Sequence, residues 1–459
     1  MNFVGIRGVA ILRTALKAGM GLFAIGAVAA SVIEIAARAA DVRPTESASG
    51  NNWPQWRGAH FDGISHETDL PTTWSEEKGV LWQLPLPGPA GSTPVVWGKQ
   101  IFLTSAESSD PVNNPAEKDS LVLMSVSTDG KLLWKREISG NNRGVRGDEG
   151  NLASPSPSTD GRHVWAFMGT GELACYTVDG EKVWQYNLQD KYGKFDIQFG
   201  IASTPVLDDG RLYLQLLHSG SATVLALDAA TGNEIWHQAR TTDARAECRE
   251  SYASPMLYRD AERAFLLTHG GDCIMAHRLS DGSEIFRCGG LNPAGNYNPT
   301  LRFVASPVAV PGLIIVPSAK NGPVLAIDPA GRGDITEEAK WHFWTRASNT
   351  PDVPSPLVYD GLVYLCREDG TLLCLDAKTG EELYKERVHS DRHRASPVYG
   401  DGKIYMTARD GTVSVVKAGP KFELLAKNNL LESMSSSPVI SNGRIYLRTF
   451  ETLYAIGKK

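Results

Sequence analysis

Ala226-Leu-Asp228-Ala-Ala-Thr231-Gly232-Asn-Glu-Ile-Trp236 is the stretch that decides the fold. An apolar run leads into Asp228, a turn built on Thr231 and Gly232 follows, and a second short run ends in an aromatic ring. Aspartate and threonine side chains hydrogen-bond the backbone of tight turns, and glycine supplies the positive φ such turns need. The stretch therefore predicts two antiparallel strands joined by a hairpin, with Trp236 as a flat surface for packing on a neighbouring sheet. Cys374-Leu-Asp376-Ala-Lys-Thr379-Gly380-Glu-Glu-Leu-Tyr384 repeats it at identical spacing. Degenerate copies end at Trp134, Trp184 and Phe286, and a fifth-blade copy stretched by a Gly-rich, charged insertion after Ala326-Ile-Asp328 ends at Trp341.

Outside this unit a second mark recurs, Ser or Thr followed by Pro. It stands at Ser92-Thr93-Pro94, Ser154-Pro155, Ser203-Thr204-Pro205, Ser254-Pro255, Ser306-Pro307, Ser355-Pro356, Ser396-Pro397 and Ser437-Pro438, with prolines 61, 50, 50, 52, 49, 41 and 41 residues apart. Such spacing is that of a four-stranded propeller blade, with drift from variable loops. After most of these prolines a glycine opens an alternating strand, as in Gly361-Leu-Val-Tyr-Leu365 and Gly443-Arg-Ile-Tyr-Leu447. One four-stranded sheet cannot bury both faces, whereas a ring of them can. The fold class is therefore all-β, an eight-bladed propeller of four-stranded antiparallel blades. The last blade stops at Leu453-Tyr-Ala-Ile456 without its aromatic strand, while a surplus strand around Trp82 precedes the first proline strand. That strand is expected to complete the last blade and close the ring, adding Trp82 to the docking aromatics.

These residues, above all 226–236, resemble the tryptophan-docking repeat of the quinoprotein-like (PQQ-like) eight-bladed propellers, and the resemblance spans roughly Trp53 to Ile456. Trp53-Pro-Gln-Trp-Arg-Gly58 followed by Leu70-Pro-Thr-Thr-Trp74 resembles the leader of the exported, BamB-like bacterial branch. The resemblance implies a noncatalytic scaffold for a protein or ligand, in the manner of envelope and outer-membrane protein assembly. It also leaves open an oxidoreductase carrying pyrroloquinoline quinone and calcium, and a carbohydrate- or small-ligand-binding propeller. Alcohol-oxidising quinoproteins share a pair of adjacent cysteines under the quinone, and no two of the six cysteines here are neighbours. No Cys-x-x-Cys-His haem motif, calcium loop, Gly-x-Ser-x-Gly or His-Glu-x-x-His is present. The expectation is no resident cofactor and no catalytic residues. His269, His389 and His393 show no zinc spacing within one element, so no metal site is expected.

The chain has 459 residues with 46 basic and 52 acidic side chains, a formal net charge of −6 that offers no basic excess for nucleic acid. Arg7, Arg13 and Lys17 precede an uncharged run from Ala18 to Ile33, and Ala37-Arg38-Ala39 supplies a small-x-small cleavage pattern. Residues 1–40 read as an export signal, with an uncleaved anchor as the alternative; 41–52 read as a linker and 53–459 as one propeller domain. The expected location is the periplasm, as a monomer in peripheral association with the envelope. Two disulfides are open on spacing: Cys366–Cys374, which a three-residue loop centred on Gly370 would set opposite each other, and Cys273–Cys288 around residues 280–282.

Connections from a blade's outer strand to the next inner strand cross one face and reach the central channel. They are the long, charged loops of this chain, and loops held on a rigid scaffold carry function. Their charged residues Arg146, Arg245, Glu250, Arg302, Asp352 and Arg392 form the candidate binding surface at the channel mouth. Ion pairing between blades is the alternative role for the same residues.

Overall fold

The computed structural model describes residues 51–75, 77–107, 119–140, 142 and 151–458. The expected export signal and most of the linker lie outside them, as does Arg146. No helix among the described residues is long and apolar enough to cross a membrane.

Blade 3 shows how the repeat becomes structure. Its strands Val206–Asp208, Arg211–His218, Ser221–Asp228 and Glu234–Ala239 pair antiparallel in sequence order. Val206, Tyr213, Ala226 and Trp236 fall in one cross-strand row, and that row packs on Met256, Leu267 and Ile274 of blade 4. The middle strands are buried on both faces because each sheet lies between two others, whereas the outer strand alternates around a single buried aromatic. In the turn, Asp228 Oδ1 accepts from the Thr231 N–H at 2.8 Å and its hydroxyl at 2.7 Å. Asp376 and Thr379 repeat the pattern at 2.8 and 2.9 Å.

Eight such sheets form the ring, six with four strands and two with a fifth. Blade 4 gains Gly333–Asp334 in parallel beside Phe286, and blade 7 gains Ile64–Ser65. The strand Val80–Pro85 completes blade 8 antiparallel to Thr452–Ile456, with Trp82 opposite Ala455.

The outer-strand aromatics dock in rotation. The indole N–H groups of Trp82, Trp134, Trp184, Trp236 and Trp344 donate to the carbonyls of Thr128, Val178, Ala229, Leu279 and Ala377 on the next blade's turn, at 2.8–3.1 Å. Glycine is required there twice over. Gly282 has φ +74°, and a Cβ on it would come within 2.5 Å of the Trp236 ring. Tyr384 meets Phe422 of blade 7 edge-on at 5.6 Å, and Phe286 is fully buried against Phe265.

Three readings of the sequence need correction. The docking aromatic of blade 5 is Trp344, opposite Ala326, and not Trp341, which ends a short 3-10 turn ahead of that strand. The insertion consumes its extra residues in the added strand Gly333–Asp334 and that turn, which shifts the aromatic by three positions. In blade 2 the repeat mark is Ser156-Pro157, two residues beyond Ser154-Pro155, as its hydrogen bonds show. Neither disulfide forms, and all six cysteines are free and buried. Cys366 pairs with Leu372 and Cys374 with Tyr364, so the hairpin is centred one residue earlier than Gly370. Cys288 pairs with Ile274, which puts Cys273 on the opposite face of the sheet.

Around the axis the repeat serine or threonine has a task of its own. The backbone N–H of Thr93 donates to the hydroxyl of Ser156, Ser156 to Thr204, and so on through Ser254, Ser306, Ser355, Ser396 and Ser437, which returns to Thr93. These eight bonds of 2.9–3.3 Å close a circle. Below the circle, the leader crosses the channel. Trp53 pairs with Val96 of blade 1, the Pro54 carbonyl accepts from Thr159 of blade 2, and Gln55 bonds Leu207 of blade 3 in both directions. Arg57 then donates to Pro397 and Pro356 of blades 7 and 6 at 3.0 and 2.8 Å, and to the Asp62 carbonyl at 2.9 Å. A chain that visits blades on both sides of the ring within five residues passes across the axis, and here it stops one end of the channel.

Candidate functional site

The other end is open. A cavity of about 230 Å³ lies at the mouth, lined from seven of the eight interblade connections: Asn151 and Ser154, Phe199 and Ala202, Tyr252, Arg302 and Val304, Asp352 and Val353, Arg392 and Arg394, and Ser435. Glu368 enters from a hairpin within blade 6. One position recurs in this lining. Ser154, Ala202, Tyr252, Val304, Val353, Arg394 and Ser435 each stand three residues before a repeat proline. The eighth connection has Gly91 there, where a Cβ would meet Ser154 Oγ at 3.3 Å. The collar is thus small on one side, through Ser435, Gly91, Ser154 and Ala202, and bulky or charged on the other.

Of the residues expected at the mouth, Arg302, Asp352 and Arg392 line the cavity together. The Arg302 guanidinium lies over the Phe199 ring at 4.8 Å and 3.5 Å from Glu247. Arg392 Nε and Arg394 Nη2 both donate to Glu368 Oε1, at 3.2 and 3.1 Å. Glu250 stands one layer behind, buried, accepting from the Gln198 N–H at 3.3 Å and the Ser219 and Tyr252 hydroxyls at 3.3 and 2.7 Å. Burial, and then the Glu250 carboxylate, push the Tyr252 phenol well above its ordinary pKa, so it stays a neutral donor. Arg245 is not part of the mouth. It stacks on Tyr297 at 4.1 Å, exposed on the rim of blades 3 and 4.

The sequence reading missed Phe199, Tyr252, Glu368 and Arg394. Tyr252 and Arg394 were legible from the position three before the repeat proline, which choosing the charged residues of each connection by type passes over. Phe199 and Glu368 carry no such signal.

Histidines near the mouth are structural. His393 is fully buried with Nδ1 2.9 Å from the Asp391 carbonyl, and burial holds its pKa down at about 4. His389 bonds Asp410 at 2.8 Å, and His269 of blade 4 packs on Phe303 of the connection to blade 5. Among the described residues no group of three or more His, Cys, Asp or Glu side chains could hold a metal ion. Among the described residues the carboxylates lining the cavity are Asp352 and Glu368, and none of the cysteines lines it.

The chain matches the family described as outer membrane protein assembly factor BamB over residues 118–386 and 320–419. No curated protein matches it by sequence. Among solved structures it is similar to BamB from Moraxella catarrhalis, with a TM-score of 0.56 at 14% identity, covering 83% of this chain and 97% of that one. It is also similar to a europium-containing methanol dehydrogenase, TM-score 0.62 at 12% identity over 87% and 90% of the two chains. A quinohemoprotein alcohol dehydrogenase from Pseudomonas putida HK5 gives 0.61 at 12% identity, over 90% and 81%. At these identities the likeness to each structure is one of fold.

Proposed function

The chain belongs to the family of the outer membrane protein assembly factor BamB, and from that membership we propose that it is a noncatalytic scaffold of the bacterial cell envelope that holds a partner protein on its channel-mouth face. The observation that carries the reading is the convergence of seven connections on one rigid mouth above a stopped channel. Rigid rings with variable loops suit binding, because little ordering entropy remains to be lost on association. The donor set supports a reading without quinone or calcium. A calcium ion takes six to eight oxygen ligands, and of the two lining carboxylates Glu368 sits between two guanidinium groups that would repel a cation.

A photo-crosslinking residue at Val353, on the mouth, tests the reading against one at Leu133, on the outer rim. Discrete adducts with an envelope protein are expected from Val353. Adducts from Leu133 alone would move the partner to the rim and sink the mouth as its seat. Saturable, calcium-dependent quenching of tryptophan fluorescence by micromolar pyrroloquinoline quinone would replace the scaffold with an oxidoreductase.

A further inference from the structure

The cavity does not end at the axis. It shares Asp352, Glu368 and Arg392 with an open depression of about 460 Å³ that is also walled by Lys320 of blade 5 and by Arg367 and Asp369 of blade 6. Among the described lining residues the two hold five cations, Arg302, Lys320, Arg367, Arg392 and Arg394, against three anions, Asp352, Glu368 and Asp369. With Glu247, which pairs with Arg302 from behind the lining, the described balance is five to four, still of opposite sign to the chain, whose net charge is −6. The Arg302 and Arg394 side chains are only 20% and 12% exposed, so salt screens them less than surface charges.

Glu368 shows how a carboxylate is held here, one oxygen accepting from two guanidinium groups. Charge-assisted bonds of this kind are the strong ones. A free ion would need only the cavity. The joined depression gives a backbone somewhere to continue, and an extended chain advances about 3.3 Å per residue.

Taking the scaffold reading as its basis, we propose that the mouth and the depression together bind an acidic, extended segment of a partner polypeptide, with a side-chain carboxylate seated among Arg302, Arg392 and Arg394. Glu368 is an internal competitor for that seat, as Glu247 is at Arg302.

Fluorescence anisotropy of a labelled Glu-Gly repeat peptide, compared with its Gln-Gly counterpart on the whole chain, tests this. The Glu peptide is expected to bind and the Gln peptide to bind at least about tenfold more weakly, as loss of a charged hydrogen bond implies. Arg302→Ala and Arg392→Ala each weaken the Glu peptide by about tenfold or more, Arg302→Lys recovers part of the loss, and Glu368→Gln tightens binding. Melting curves confirm that each variant is folded. Equal binding of the two peptides, or indifference to the arginine substitutions, overturns the proposal. So does inorganic phosphate or citrate competing at the same arginines far more tightly than the peptide, which would make this a small-anion site. No peptide binding alongside a Val353 adduct removes the acidic-segment assignment and leaves the scaffold, whereas loss of both removes the scaffold as well.

Discussion

The two ends of the channel use arginine in opposite ways. At the stopped end Arg57 is fully buried and bonded to three backbone carbonyls, and burial lowers its pKa to about 10. At the mouth Arg302 and Arg392 keep part of their surface in solvent and face carboxylates. A buried cation is tolerated when hydrogen bonds offset its desolvation, as the Nη1 and Nη2 bonds of Arg57 do, and losing one side of such an arrangement is expensive. A pair with part of its surface in solvent, such as Arg392 with Glu368, is worth less to stability than a fully buried one. Residue type therefore does not separate structure from binding; the acceptors and the solvent around it do.

Removing the stopped end altogether should have the largest effect. Deleting residues 53–86 takes away the plug and the outer strand of blade 8, exposing the edge at Thr452–Ile456. A loss of several kcal/mol in urea unfolding is expected from the buried aromatics alone, Trp53 and Trp74 among them. Unchanged stability would mean that the ring does not need this strand. Next, Arg57→Ala should cost about 2–6 kcal/mol, because it leaves the Pro356 and Pro397 carbonyls buried without a donor at about 1–3 kcal/mol each; a cost below about 1 kcal/mol would erase the contrast between the ends.

Acid probes the packed interior of the blades. Burial holds His269 at about 3, and His277 and His393 at about 4, so all three are neutral in the folded chain. The unfolded chain takes up these protons first, below about pH 6.5. The stability they confer is therefore present above that pH and is lost as pH falls toward 4, by up to about 1.4 kcal/mol per pH unit for each histidine. Melts at pH 7, 5.5 and 4.5 read this directly, and a flat profile would show that these rings are hydrated. The smallest effect belongs to the mouth. Arg392→Ala should change stability by less than about 1 kcal/mol while weakening the acidic peptide, and an equal loss of both would make the mouth arginines struts like Arg57.

The ring itself was legible because its rules are local. Asp228, Thr231 and Gly232 act within a few residues of one another, and each copy repeats them. What depended on counting across an irregularity was misread. In blade 5 two tryptophans stand three apart, and the insertion between them and Ala326 hides the register. A finer signal existed, since Ile235-Trp236, Leu383-Tyr384 and Phe343-Trp344 share an exposed apolar residue just ahead of the docking ring. The cysteines failed for a related reason, a one-residue shift at each hairpin that periodicity does not reveal. At the mouth the converging loops were readable from the topology, yet Glu368 was not, because it arrives from a hairpin inside a blade and meets its arginines only through the curvature of the ring.

The circle of serine and threonine bonds bears on what the neck can offer a guest. Every bond runs the same way around, from the N–H of one blade to the hydroxyl of the next. Each of those N–H groups is also spent on its neighbour. A molecule settling on the axis therefore finds none of these eight amides unspent, in contrast to the helix ends and glycine loops that seize anions through backbone amides. Selectivity at this mouth is thus written wholly in side chains, which sequence drift can rewrite one connection at a time without loosening the wheel.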